Sequence, residues 1–418
     1  MSRCRRGLLL AVATSVGVLG FAPEPAPAAE SSYRVLYDVR ISPSEKAARV
    51  TLRISDPQLA VRWLRFSIDR ERLFDFKADG ELELGEGSAT WTPPPGGGAL
   101  RYAHRIDHLR NPRSYDARCT ESWALFRGDD LVPPVRVRTV VGAHSESELR
   151  LRLPDGWSAV TPYPALANGR YSVSHPDRRF DRPVGWILVG HLGVLRERVA
   201  GVHVTLAAPS GQGRGRRDML AMLRWTLPTL RKIAPLPERM TFVTAGDPMW
   251  RGGLSGPGSA YLHADLPLIS SDSTSPLLHE VIHVMLQARS GSGGDWIVEG
   301  LSEYYSLEAL ARSRTLSRRR YERALEGLME RGQGVRRVTG DHAQGDETAR
   351  AVGLLHELDA EIARLSGGEK GLDDVLRALV GTSGAITLES FRAITERVAG
   401  APLDGFFDRK ILRPSQSS

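Results

Sequence analysis

The spacing of apolar residues changes near residue 211, and this change most constrains the fold. From about residue 33 to 209, apolar and polar residues alternate in short runs separated by turn residues. Such alternation predicts antiparallel strands with one face in solvent. After residue 211, apolar residues mostly recur at helical spacing. The exceptions are an expected strand at 241–244 and an extended stretch at 259–269. We predict an α+β multidomain chain in which an antiparallel β-sandwich precedes a mainly helical domain.

The length of 418 residues agrees with more than one folding unit, since single domains hold about 100 to 200 residues. Alternating runs occupy residues 33–39, 48–54, 135–141, 148–153 and 199–206. A Gly/Arg-rich segment at 211–215 predicts a linker, followed by a helix at about 217–233. The predicted regions are a signal peptide at 1–29, the β-sandwich at 30–210, a domain carrying the chemistry at 211–410, and a tail at 411–418.

The first residues have the features of a secretory signal peptide. Arginines at positions 3, 5 and 6 precede an apolar stretch at about residues 8–21, and Ala26-Pro27-Ala28 fits a cleavage site. The apolar stretch is shorter than the roughly 20 residues that cross a bilayer as a helix. We therefore predict an exported protein, periplasmic or extracellular, with no stable membrane span after signal cleavage.

The distribution of charge along the chain bears on whether it binds nucleic acid. The chain has 56 basic and 49 acidic residues and a formal charge of +7, with arginines spread along the sequence among acids. This distribution does not form a nucleic-acid-binding patch, so no nucleic-acid partner is predicted.

After loss of Cys4 with the signal peptide, Cys119 is the one remaining cysteine. It is predicted to be a small buried residue, with a reactive thiol as the alternative.

Residues 279–283 form the pattern H-E-x-x-H. On a helix, His279 and His283 differ by about 40° around the axis, so both imidazoles can bind one ion while Glu280 lies beside them. Ser275 and Pro276 suit the N-cap and first position of that helix. The alternative is a pair of core histidines.

A third donor is predicted sixteen residues after His283. Glu299 opens a second helical stretch after the Gly/Ser turn at 290–294, and an antiparallel helix pair would bring it to both histidines. One zinc ion held by two imidazoles and a carboxylate keeps an open position, as in hydrolases, although these donors also suit other divalent metals. Glu303, one turn later, is predicted to orient a ligand imidazole, with a surface acid as the alternative.

These residues resemble the gluzincin zinc metallopeptidases, and more narrowly the glycyl aminopeptidase family, relatives of aminopeptidase N. The resemblance rests on HEVIH, on WIVEGLSEYYS at 296–306, and on the segments 358–377 and 399–408. It implies a thermolysin-like (gluzincin) catalytic domain at 211–410. It also implies zinc ligands at His279, His283 and Glu299, with Glu280 as the general base.

The sequence departs from this family at the residue that stabilises the oxyanion. Where the family usually has a tyrosine, this chain has Thr348; Tyr261 and His342 are candidate substitutes. The glycine-rich stretch 252–256 resembles the family's edge that binds substrate backbone, which gives Gly252 and Gly253 as substrate-binding residues. No acid follows to hold a free amino group, so exopeptidase and endopeptidase action both stay open. We expect no PDZ-like domain after the helical domain, although one often follows it in this family.

The predicted function is that of an exported zinc metallopeptidase that hydrolyses peptide bonds through a metal-activated water, aminopeptidase-like in its resemblance. Its partner would be a peptide or protein substrate lying extended along the predicted edge strand at about 252–263. The alternative, motivated by the missing tyrosine, is a catalytically weak or inactive zinc-binding envelope scaffold. A third possibility is hydrolysis of a non-peptide amide or an epoxide. The sequence gives no indication of the oligomeric state.

Overall fold

The computed structural model describes residues 31–174, 178–213, 215–340, 342–382 and 384–412. The predicted signal peptide at 1–29 and most of the predicted tail at 411–418 lie outside these residues. Within them, strands dominate the first half and helices the second, which confirms the α+β class.

Before residue 210 the described chain consists mainly of strands. In chain order these are β1 (Ser32–Ser42), β2 (Ala47–Asp56), β3 (Val61–Ser67), β4 (Leu73–Ala78), β5 (Glu81–Leu84), β6 (Ser88–Thr92), β7 (Gly96–Arg105), β8 (His108–Asn111), β9 (Ser114–Cys119), β10 (Trp123–Arg127), β11 (Val135–Thr139), β12 (His144–Arg152), β13 (Ser158–Val160), β14 (Tyr171–Ser172), β15 (Trp186–Gly190), β16 (Leu192–Val199) and β17 (Val202–Pro209). A short helix, α1 (Gly128–Leu131), follows β10. Three sheets result, with orders β14-β12-β1-β2-β7-β4, β13-β15-β10-β9-β8 and β11-β3-β6-β5.

Two expectations about these strands need correction. β1 and β12 pair in parallel, whereas β1–β2 and β2–β7 are antiparallel as expected. The parallel pair is possible because many strands, rather than a hairpin turn, connect β1 to β12. The run at 199–206 is not one strand, since Ala200 and Gly201, with φ of 48° and 81°, form the turn of the β16–β17 hairpin. Alternation alone does not reveal a reversal at such a turn.

A fourth sheet has five strands and reaches the candidate site. Its order is β16-β17-β18-β20-β19, with β18 at Arg239–Ala245, β19 at Gly253–Gly256 and β20 at Ser259–His263. β17, β18 and β20 are parallel, and β19 is an antiparallel edge strand. This sheet combines strands from both sides of the predicted boundary between 210 and 211; the domain limits stay a prediction.

The helices of the second half pack with this sheet around one apolar core. They are α2 (Arg216–Ile233), α3 (Pro276–Leu286), α4 (Asp295–Arg312), α5 (Arg318–Gly332), α6 (Asp346–Leu365), α7 (Leu372–Leu379), α8 (Leu388–Ala399) and α9 (Asp404–Phe406), followed by a π-helical turn at Phe407–Leu412. Two short strands, β21 (Arg289–Ser290) and β22 (Ala385–Ile386), pair in parallel. α2 confirms the helix predicted at 217–233. Among the described residues, none of the helices is both long and apolar enough to span a membrane.

An ion pair joins the two parallel strands of the six-stranded sheet. Arg152 on β12 donates from Nε and Nη2 to both carboxylate oxygens of Asp38 on β1, at 2.7 and 2.6 Å. The Asp38 side chain is only 9% exposed, so its charge depends on this partner. The hydrogen bonds from Arg152 hold the pKa of Asp38 below its ordinary value.

We predict that Arg152→Met lowers the free energy of unfolding by about 1 to 3 kcal/mol at pH 7, because it leaves the Asp38 carboxylate unpaired. A lowered folded pKa stabilises the protein above the unfolded pKa, near 4, and this stabilisation is lost as the pH falls through the folded value. Urea unfolding should therefore show a smaller difference between the two proteins in the acid range. Arg136→Met, at an exposed position of β11, is the control, and an equal loss there would contradict the assignment.

Candidate metal centre

Helix α3 is fixed at both ends. Ser275 is its N-cap and accepts a hydrogen bond from the Leu278 amide at 3.3 Å, and Pro276 occupies the first helical position. Gln287 ends the helix in the left-handed region, with φ of 50°. The predicted caps are therefore present, and the H-E-x-x-H segment lies on one rigid helix.

Helix α4 brings Glu299 to both histidines. Its Oε2 lies 3.3 Å from His279 Nε2 and its Oε1 lies 3.4 Å from His283 Nε2, while the two Nε2 atoms are 3.0 Å apart. Tetrahedral ligands at 2.0 to 2.1 Å from a zinc ion are separated by about 3.3 Å. The three donors thus have the spacing that one such ion needs, and they form a potential metal-binding group.

Glu303 contacts the far side of one imidazole. His279 Nδ1 lies 2.9 Å from Glu303 Oε2, which directs Nε2 of the same ring towards Glu299. Burial alone would lower the pKa of His279, but the Glu299 and Glu303 carboxylates hold it well above its ordinary value. Burial would raise the pKa of Glu299, yet hydrogen bonds from the two histidines hold it well below its ordinary value.

Glu280 lies beside these donors with one oxygen uncommitted. Its side chain is buried, and Oε2 has no hydrogen-bond partner among the described residues. Burial raises the pKa of Glu280, although the neighbouring histidines oppose the shift. Its other oxygen faces Gly253 on β19, where an added Cβ would lie 2.3 Å from Oε1. Only glycine fits there without moving the carboxylate.

The cluster opens into a cavity of about 360 Å³ between α3, α4, β19 and the segment before α6. The cavity is lined by Arg110, Trp250, Gly253, Leu254, Ser255, His279, Glu280, His283, Asp295, Glu299, His342, Ala343 and Gln344. Gly252, the other glycine predicted to bind substrate, does not line it. A Cβ at Gly252 would lie 2.1 Å from the Trp250 ring, so this glycine permits close packing against the tryptophan.

The edge of β19 offers unpaired backbone groups to this cavity. The His263 amide donates to the Gly252 carbonyl at 3.0 Å, which fixes the phase of the β19–β20 ladder. Alternation along an antiparallel pair then directs the N–H and C=O groups of Gly253 and Ser255 away from β20. An extended ligand could pair with them.

Of the two candidates for replacing the missing tyrosine, only His342 lines the cavity. Tyr261 is buried, and its hydroxyl donates to the Trp250 carbonyl at 2.9 Å. Thr348 is buried on α6, where its hydroxyl lies 3.4 Å from the Ala343 carbonyl.

Several cavity residues were not anticipated from the sequence. Asp295, at the start of α4, accepts a hydrogen bond from the Ala343 amide at 2.6 Å and so holds the segment around His342. An acid at a helix N-terminus was a visible signal for Asp295. Arg110 and Trp250 carried no such signal, because their contact joins distant parts of the chain.

The fold is similar to that of solved zinc metallopeptidase structures. An aminopeptidase N family protein from Idiomarina loihiensis is 16% identical with a TM-score of 0.69, covering 92% of this chain and 77% of that one. The M1 zinc metallopeptidase from Deinococcus radiodurans is 16% identical with a TM-score of 0.59, covering 93% and 95%. A mutant of that enzyme bound to Tyr-Ser-Ala substrate is 15% identical with a TM-score of 0.61.

No protein-family profile matches the sequence, and no curated protein sequence matches it significantly. At 15 to 16% identity, the structural similarity shows the fold. The resemblance to relatives of aminopeptidase N is confirmed at that level.

We predict that Glu303→Gln weakens zinc binding by about 10- to 100-fold, because the neutral amide no longer orients and polarises the His279 ring. Competition with a chromogenic chelator measures the affinity. Glu322→Gln on α5, an exposed acid away from the cluster, is the control. Unchanged affinity in the Glu303 variant would contradict the role of this contact.

Proposed function

We propose that the chain is an exported zinc-dependent metallopeptidase that cleaves peptide bonds, with one zinc ion held by His279, His283 and Glu299. The observation that carries this proposal is the uncommitted oxygen of Glu280 beside three donors with tetrahedral spacing. Structural zinc sites use four protein ligands, whereas three ligands and an adjacent free carboxylate suit hydrolysis.

A bound zinc ion would acidify a water molecule and polarise the carbonyl to be cleaved. Glu280 is placed to remove the proton from that water and to deliver it to the leaving amine. Burial raises the pKa of this carboxyl and so favours the form that carries the proton. Contact with the Gly253 backbone restricts its position.

The substrate would lie extended along β19. The outward backbone groups of Gly253 and Ser255 give it main-chain partners next to Glu280. The solved mutant from Deinococcus radiodurans bound to a tripeptide has a similar fold, which supports a peptide as the substrate class.

His342 is our candidate for the oxyanion donor. It lines the same cavity as the three donors, on a segment held by the bond between the Ala343 amide and Asp295. Thr348 is buried away from the cavity and cannot donate to a substrate there. An imidazole N–H supplied by His342 would replace the missing phenol.

The alternative is a zinc-binding envelope scaffold with weak or no activity. The observation that favours it is Thr348 in place of the usual tyrosine. An oxyanion donor contributes about 10²- to 10³-fold in rate, so its loss without replacement would leave a slow enzyme.

We predict that Glu280→Gln keeps one zinc ion per chain but lowers peptide turnover by about 10²- to 10⁴-fold, because the amide cannot accept the proton. Metal analysis and mass-spectrometric detection of cleavage in a peptide library measure the two properties. Glu326→Gln, at an exposed position of α5, is the matched control, and His283→Ala should lose the zinc. Zinc bound by a wild type that cleaves nothing would favour the scaffold; absence of zinc from the wild type would overturn the metal site.

We predict that His342→Ala lowers kcat by about 10²- to 10³-fold with little change in KM, because an oxyanion donor acts mainly in the transition state. His342→Gln, which keeps an N–H donor, should recover part of the rate. Gln344→Ala, on the same segment, is the control. Equal losses in the two alanine variants would mean that His342 only shapes the cavity.

A further inference from the structure

The charged residues of the cavity are not equally available to a ligand. Glu280 and Glu299 belong to the proposed chemistry, and Asp295 is engaged by the Ala343 amide at 2.6 Å. Arg110 also lines the cavity, yet it forms no ion pair with any described carboxylate. The Arg110 guanidinium is therefore a permanently charged group of this lining that has no ion-pair partner among the described residues.

Arg110 is held in place by an aromatic ring. Its guanidinium carbon lies 4.3 Å from the centre of the Trp250 ring, within the range of a cation–π contact. A guanidinium in such a contact still has N–H donors with which to bind another partner.

Backbone hydrogen bonds attach the strand pair that carries Arg110 to the segment that carries Trp250. The Tyr115 amide of β9 donates to the Pro248 carbonyl at 3.0 Å, and the Trp250 amide donates to the Tyr115 carbonyl at 2.8 Å. β8, which contains Arg110, pairs with β9. These bonds fix the β8–β9 strand pair relative to the segment that carries Trp250, and this places Arg110 at the cavity.

We propose that Arg110 is an anchor for a carboxylate of the substrate. This inference rests on the proposed function and names its substrate class: peptides that place a carboxylate, from an Asp or Glu side chain or from the C-terminus, beside Trp250. A planar guanidinium binds a carboxylate through two parallel N–H···O bonds. The adjoining β19 edge contributes Gly253, Leu254 and Ser255 to the lining, none of which is acidic.

The test uses zinc-loaded Glu280→Gln, so that binding is measured without turnover. Calorimetry compares peptide pairs that differ only by Glu or Gln at one position, and pairs that differ only by a free or an amidated C-terminus. In at least one of the two sets of pairs, we expect the anionic peptide to bind at least about tenfold more tightly than its neutral counterpart. The pair set that shows the difference identifies which carboxylate Arg110 binds.

Adding Arg110→Gln should abolish this preference and leave binding of the neutral peptides unchanged. Arg113→Gln, an exposed arginine beside β9, is the control and should keep the preference. Arg110→Glu should favour Lys over Gln at the same position. Equal binding of all anionic and neutral partners, or a preference that survives Arg110→Gln, would overturn the proposal.

The outcome is distinguishable from failure of the peptidase assignment. A wild type that binds anionic peptides through Arg110 but cleaves none of them would reject the peptidase and support the carboxylate site. If the wild type cleaves acidic and neutral peptides equally and the two kinds of peptide also bind equally, the peptidase assignment is supported and the role of Arg110 is rejected.

Discussion

The packing of α3 against α4 is the constraint on which the site depends. Both helices are embedded in the apolar core of the second half, where an unpaired polar group is costly. The histidines of α3 and the carboxylates of α4 satisfy one another across this interface, with His279 bonded on one side to Glu303 and facing Glu299 on the other. Because residues adjacent to Glu299, such as Val298 and Gly300, are buried, the helix has little freedom to rotate. The spacing of the donors is therefore a property of helix packing and does not depend on flexible loops.

The same packing explains why Glu280 is buried and why its Oε2 has no hydrogen-bond partner in the part of the chain that the structure describes. α3 presents its histidines to α4 and places Glu280 against the backbone of β19, where a side chain at Gly253 would displace the carboxylate. The sheet edge therefore limits the movement of Glu280 without bonding to its Oε2 oxygen. Burial raises the pKa of this carboxyl, and the two neighbouring imidazoles oppose the shift.

The sequence predicted the features that depend on the spacing of residues close together along the chain. The H-E-x-x-H helix, its Ser275 cap and the position of Glu299 and Glu303 on the next helix follow from a 3.6-residue period and a short turn. Most strands of the first half follow from alternation. Other features depend on contacts between separated segments or on backbone angles. They are the parallel pairing of β1 with β12, the hairpin turn at Ala200 and Gly201, and the hydrogen bond from the Ala343 amide to Asp295. Counting along the chain placed Thr348 where a tyrosine was expected, but only the three-dimensional structure shows that His342 lines the cavity.

The two parts of the cavity have different structural origins. The donors and Glu280 come from two core helices, whereas Arg110 comes from a strand pair of the first half that reaches the cavity through backbone bonds at Tyr115. A change in the β8–β9 hairpin could therefore alter which ligand is held without disturbing the helix pair, because the two regions share no side-chain hydrogen bond among the described residues. The two parts also differ in charge, because the three donors include the Glu299 carboxylate whereas Arg110 is a cation. A peptide that spans the cavity would be oriented by these opposite charges before any bond is cleaved, which is how binding energy distant from the reacting atoms contributes to positioning.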